Sequence, residues 1–128
     1  MYGVIKFLIF ISMVLCLTSV SQANSGQAIV YDPPYTPSLC FGPESKGPMN
    51  AKVHSSLFGC GRRYRVRCVS GTNKAIRDAC TGNTVDVMVV GRCESCAKNE
   101  LVLSQEAFAK IARLALGRVN VEYEQLRY

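Results

Sequence analysis

Cys93 and Cys96 are separated by two residues at the end of an apolar run, the spacing of a reactive dithiol. That chemistry needs a helix starting at the motif and a parallel sheet around it. It also wants a later proline loop facing the pair, and no proline follows Pro48. Ala97 to Leu103 intervenes before any helical pattern, so the pair reads as a local staple closing a tight loop. Zinc is a second chemistry open to cysteine, but tetrahedral sites usually draw on two close ligand pairs. Here there is one such pair and one histidine, His54, so neither a metal nor another cofactor is expected. A serine or cysteine nucleophile needs a base within hydrogen-bond reach. His54 is the sole candidate, and it reads as a surface or loop residue.

Glycoside hydrolysis needs two carboxylates flanking one bond, one of them kept protonated. Of the nine acids, only Asp32 sits where a cleft could begin, at the end of a strand pattern, and spacing supplies it with no partner. The most unusual local feature is basic: Arg62, Arg63, Tyr64, Arg65, Val66, Arg67. In a strand, Arg63, Arg65 and Arg67 project from one face about 6.6 Å apart, at about 3.3 Å per residue. Such a ladder could grip a polyanion such as pectin, or it could be a solvated strand face. Nucleic acid is not expected as a partner, because no stacking aromatics accompany the ladder.

The elements that must position these residues follow from periodicity. Gln27 to Tyr31 reads as a short strand, followed by a loop-rich stretch holding all five prolines. Tyr64, Val66 and Cys68 alternate with the arginines, which makes Arg63 to Val69 the strongest strand. Thr84 to Val90 is nearly continuous in apolar residues and predicts a strand buried on both faces. Ser104 caps a predicted helix over Gln105 to Leu114, with Glu106 in its first turn. Phe108, Ile111, Ala112 and Ala115 form its buried stripe, and Gly117 ends it. Val119, Val121 and Tyr123 give a last strand at period two.

Residues 1–23 differ from the rest. Lys6 is the only charge before Asp32, Phe7 to Val20 is almost wholly apolar, and Ser21, Gln22 and Ala23 offer small residues at a cleavage site. That pattern predicts a signal peptide cleaved after Ala23. Its apolar stretch falls short of the ~20 residues a spanning helix needs. The chain carries a formal net charge of +6; removing the leader takes one base and leaves 14 bases against nine acids. Cys16 leaves with it. Cys40, Cys60, Cys68, Cys80, Cys93 and Cys96 remain, an even set that reads as a disulfide framework in a secreted chain. Six cysteines allow 15 pairings. Residues 24–128 suit one domain, with no further stretch long enough to span a bilayer and no Asn-x-Ser/Thr sequon.

Several segments together resemble a known group. They are Ala28-Ile-Val-Tyr-Asp-Pro-Pro-Tyr-Thr-Pro-Ser-Leu-Cys40-Phe-Gly42, Cys60-Gly-Arg-Arg-Tyr-Arg-Val-Arg-Cys68, the run from Cys80 to Val90, and Leu103-Ser-Gln-Glu-Ala-Phe108. The chain is similar to the plant natriuretic peptide proteins, single-domain expansin-like proteins related to the first domain of expansins, to barwin and to family-45 endoglucanases. The resemblance implies a mainly β fold, a six-stranded double-psi β-barrel with one packed α-helix, over residues 24–128. It implies the pairs Cys40–Cys60 and Cys68–Cys80, which leaves Cys93–Cys96. The Tyr-Asp-Pro-Pro-Tyr start makes Tyr31, Asp32 and Tyr35 candidate binding residues beside Arg63, Arg65 and Arg67. The second, carbohydrate-binding domain of expansins is not expected.

The departures from that pattern bear on chemistry. Expansins and the endoglucanases carry one aspartate where this chain has Gly91 and another where it has Val102. Neither replacement can transfer a proton. Glu100, two residues from Val102, would share its face in a strand, displaced from the family position. No catalytic residue is therefore expected. What the resemblance implies is a secreted, apoplastic, non-catalytic protein signalling in water and ion homeostasis. The alternative is a wall-binding protein that loosens polysaccharide contacts without cleaving bonds. The partner is then a plasma-membrane receptor or an acidic cell-wall polysaccharide.

Overall fold

The computed structural model describes residues 23–127. The expected leader lies outside the described residues apart from Ala23. Six strands follow in order: β1 (Asn24–Tyr31), β2 (Asn50–Val53), β3 (Arg63–Gly71), β4 (Thr84–Arg92), β5 (Glu100–Ser104) and β6 (Arg118–Leu126). They close into a barrel in the order β1-β5-β2-β4-β3-β6. The β1/β5 and β2/β4 pairs are parallel and the other neighbours antiparallel. The mainly β barrel with one helix expected from the sequence is the fold.

Alternation does the sorting. In β3, Tyr64, Val66 and Cys68 point into the core, and in β6 Val119, Val121 and Tyr123 do the same. Val53, Val87, Val89, Leu101 and Leu103 fill the barrel from the other strands. The expectation that β4 is buried on both faces is corrected. Val85, Val87, Val89 and Val90 are buried, but Asp86 and Met88 lie on a half-covered outer face. Asp86 reaches a cross-strand arginine there, which a run of hydrophobic letters conceals.

The helix α1 spans Gln105–Ile111. The Ser104 side chain caps it by accepting from the Ala107 N–H, and Phe108 and Ile111 are fully buried beneath it. It stops three residues before the expected Leu114. Ala112 is already extended, and its isolated bridge to Cys80 draws the chain away. Leu114–Leu116 is a separate 3₁₀ turn ended by Gly117 at φ 70°. Ala115, expected in the buried stripe, is exposed as a result.

The three disulfides are Cys40–Cys60, Cys68–Cys80 and Cys93–Cys96, with Cα separations of 5.3, 5.4 and 5.6 Å. The first ties the proline-rich loop to the turn before β3. The second ties the β3 edge of the core to the segment packed on the end of α1. The third closes the loop after β4, and no helix starts there.

Candidate functional site

Parity places the site. Ala51 and Val53 are buried, so Lys52 between them faces outward. The register sets Lys52 opposite Val102 on one side and Gly91 on the other, and sets Val102 opposite Ile29. Ile29, Val102, Lys52 and Gly91 thus form one row across four strands of the outer barrel wall. The two positions at which acids were expected to be missing flank the same lysine. A β-bulge between Ala51 and Lys52 allows this register. The Lys52 stem lies against Gly91, where an added Cβ would stand 3.4 Å from its Cγ.

Tyr31 borders this row. The Lys52 Nζ lies 5.0 Å from its ring centroid, a cation–π contact. The Tyr31 hydroxyl donates to Asn50 Oδ1, and Asn50 Nδ2 donates to the Gly47 carbonyl at 3.1 Å. The Tyr31 and Tyr35 rings meet edge to face at 4.9 Å. The Tyr35 hydroxyl donates to the Tyr31 carbonyl at 3.2 Å and accepts from the Gln105 N–H at 3.0 Å. Asp32 accepts from Gln105 Nε2 at 2.6 Å. Burial, and secondarily Tyr35, raise the Tyr31 phenol well above its ordinary pKa. Tyr31 is therefore a fixed donor and not a base. The candidates Tyr31, Asp32 and Tyr35 are brought together, held by α1 and by the turn before β2.

Asp32 gains no acidic partner. Glu100 is in register with Gln27, five residues before Asp32 along β1, which separates the two by about 16 Å. Glu100 does share the outer face of β5 with Val102. Its carboxylate accepts from Arg118 at 3.1 Å and from the Ala97 N–H at 3.0 Å. Among the described residues no three His, Cys, Asp or Glu side chains converge on a point where a metal could sit. His54 lies in a turn, where its Nδ1 accepts from the Ser56 N–H at 3.1 Å.

The arginine ladder forms on β3 with its expected parity, away from the row centred on Lys52. Arg65 donates to both oxygens of Asp86, at 2.8 and 3.1 Å. Arg67 donates to Glu122 at 2.9 Å. Across β6, Arg65 is opposite Glu124 and Arg67 opposite Glu122, while Arg63 is flanked by Met88 and Leu126. The hydrogen bonds from Arg65 hold the Asp86 carboxyl below the usual carboxylate range. The ladder's charge is thus met by carboxylates of the neighbouring strands.

Sequence reasoning missed Asn50 and Lys52. Four residues of polar–apolar alternation are too short a signal to stand out. It also missed Arg92, whose guanidinium lies 5.3 Å from the Phe58 ring centroid at the end of β4.

These features agree with likeness to known proteins. The double-psi β-barrel family model described as lytic transglycolase matches residues 49–123. EG45-like domain containing protein 2 of Arabidopsis thaliana is 40% identical over 93% of this chain and 94% of its own length. An EG45-like domain containing protein of Citrus jambhiri is 34% identical over 94% and 95%. Among solved structures, a Clavibacter michiganensis expansin superposes with a TM-score of 0.63 at 23% identity. A mutant of that expansin in complex with cellohexaose gives 0.66. Each match covers 83% of this chain and 51% of the expansin, so the chain spans about half the length of those structures. At that identity they show the fold alone. The chain belongs to the EG45-like domain proteins, an expansin-like family built on the double-psi β-barrel.

Proposed function

We propose that this is a secreted, non-catalytic protein of the plant cell wall that holds polysaccharide on the barrel surface around Lys52 and Tyr31 by contact alone. The observation that carries this reading is the row in which Gly91 and Val102 both face Lys52. A surface with a lysine at its centre and no opposed carboxylates has no acid–base pair for glycosidic cleavage. It still offers aromatic surface and hydrogen-bonding groups. The expansin relative solved with cellohexaose supports a polysaccharide as occupant. The disulfide framework and the apolar leader support export, with Asn24 as the mature N-terminus. Among the described residues no helix is long and apolar enough to cross a membrane.

The test is to incubate the purified, oxidised protein with isolated wall material and soluble glucans. Retention on the wall without release of reducing ends is expected. Reducing ends that disappear on Asp32→Asn would refute the reading and restore a hydrolase. The finer function, an extracellular signal in water and ion balance acting through a plasma-membrane receptor, is favoured by the match of residues 28–42 and 60–68 to the natriuretic group. It predicts that the pure protein swells protoplasts stripped of wall. A response confined to walled cells would remove the signalling role and keep the wall-binding one.

A further inference from the structure

A second row crosses the outer wall, two residues before Ile29 on β1 and before Val102 on β5. Glu100 on β5 is in register with Gln27 on β1, Gln27 with Asn120 on β6, and Asn120 with Ser70 on β3. Each stands next to a buried residue, Leu101, Ala28, Val119 and Gly71 in turn, so the four polar side chains share the outer face. With strands about 4.8 Å apart they span about 14 Å. All four line one recess of about 530 Å³. The β3 bulge between Cys68 and Ser70 turns Val69 outward, 47% exposed, onto its side. At Gly26 a Cβ would collide with the Asn99 carbonyl oxygen, so glycine lets β1 approach the loop that forms the far wall.

The side chains of this row fix one another. Arg118 Nη1 donates to Gln27 Oε1 at 2.7 Å, Gln27 Nε2 to Asn120 Oδ1 at 3.1 Å, and Asn120 Nδ2 to Ser70 Oγ at 3.1 Å and to the Gly71 carbonyl at 2.9 Å. Both amides are thereby set in one orientation with capacity to spare. Each amide oxygen keeps a second lone pair, and among the described residues the second Gln27 N–H and the Ser70 hydroxyl proton meet no protein acceptor. The charge of the recess is closed. Its two carboxylates, Glu100 and Glu122, are answered by Arg118 and Arg67, and among the described residues no lysine or arginine lines it. The recesses of about 210, 320 and 270 Å³ elsewhere each include a cation, at Arg65 and Arg67, at Arg92, and at Lys110. From these facts we infer that this recess is a glycan-binding subsite selective for uncharged sugars. A sugar hydroxyl both donates and accepts, which matches a rigid row offering both. Val69 supplies the apolar wall against which the C–H face of a ring packs. A uronate carboxylate finds no cation there to offset its desolvation. The inference rests on the reading that the protein binds polysaccharide, and it adds a place and a chemical class.

The test is NMR titration of the oxidised, ¹⁵N-labelled protein with cellohexaose and, separately, with an oligogalacturonate. Cellohexaose is expected to shift the backbone amides of Gln27, Ser70, Glu100 and Asn120, and the oligogalacturonate to bind there at least about fivefold more weakly. Gln27→Ala should weaken cellohexaose about fivefold, and Ser70→Ala, which removes one exposed hydroxyl, about threefold. Melting curves establish that both variants fold. Shifts confined to the residues around Tyr31 and Lys52 overturn the inference and leave the polysaccharide reading intact. Shifts in the row with none around Tyr31 and Lys52 support the subsite and refute the placement of polysaccharide at Lys52. Equal shifts in the row from both probes overturn the selection for uncharged sugars, and unchanged affinity in both variants overturns the subsite. Shifts nowhere with either probe refute the inference and the reading together.

Discussion

Replacing Cys68 and Cys80 together by alanine should cost about 3 kcal/mol. The bridge joins residues 12 apart in sequence. Closing a loop of that length removes chain entropy from the unfolded state worth about 3 kcal/mol at 25 °C. Cys68 is only 6% exposed and sits in the core beside the bulge of β3, so alanine there also sacrifices a little packing. For a domain of about 100 residues each kcal/mol moves Tm by about 4–8 °C, which sets the expected drop at about 12–24 °C. The same entropy argument ranks the other bridges. Cys40–Cys60, with a separation of 20, should contribute slightly more, and Cys93–Cys96, with a separation of 3, about 2 kcal/mol. The assay is thermal unfolding by circular dichroism of the three double-alanine variants, checked by urea midpoints. Full reduction of the wild type should produce the largest drop. A Cys68/Cys80 variant that melts within about 2 °C of the oxidised protein would refute the reasoning, as would a ranking in which the shortest loop matters most.

Three further perturbations have definite signs. Phe108→Ala, at the largest fully buried side chain, should cost about 3–5 kcal/mol in urea unfolding. Tyr31→Phe removes the donor to Asn50 Oδ1. Because Asn50 is only 2% exposed, an acceptor left without that donor should cost about 1–3 kcal/mol by the same measurement. Asp86 has a depressed folded pKa, so its pairing stabilises the protein above the unfolded value of 3.8 and is lost as pH falls through the folded one. Arg65→Gln should therefore lower stability by about 0.5–1 kcal/mol at pH 7, and the gap to wild type should close below about pH 4 in melting scans.

What the sequence made legible was whatever repeats at a short period over enough residues. Tyr64, Val66 and Cys68 in β3, and Val119, Val121 and Tyr123 in β6, each give three inward positions, and all six are buried. The cap at Ser104 was legible because its chemistry is local. The end of α1 was not. Ala112 leaves the helix because Cys80 pairs with it, and a contact across 32 residues leaves no local mark. β2 was invisible for a different reason. Four residues hold only two inward side chains, Ala51 and Val53, and what makes them a strand is the pair of neighbours β4 and β5. The part of the site built on β1 and the turn after it could be named in advance. The part built on β2, Asn50 and Lys52, could not.

The arginine ladder and Lys52 together show why a charge pattern in one strand does not by itself say where a ligand goes. Period two fixed the face on which Arg63, Arg65 and Arg67 would project, but their electrostatic meaning depends on the strands beside them. Those strands bring Asp86 from β4 and Glu122 and Glu124 from β6, so Arg65 and Arg67 become one side of a cross-strand lattice of opposite charges. Lys52 has one basic letter among three uncharged ones, the weakest charge signal in the chain. Its neighbours are Gly91 and Val102, neither of which can carry charge. The lysine stem packs along Gly91, within ordinary van der Waals distance of where a Cβ would stand. The uncharged residues on both flanks and the cation between them are therefore one structural fact, seen from opposite sides of β2.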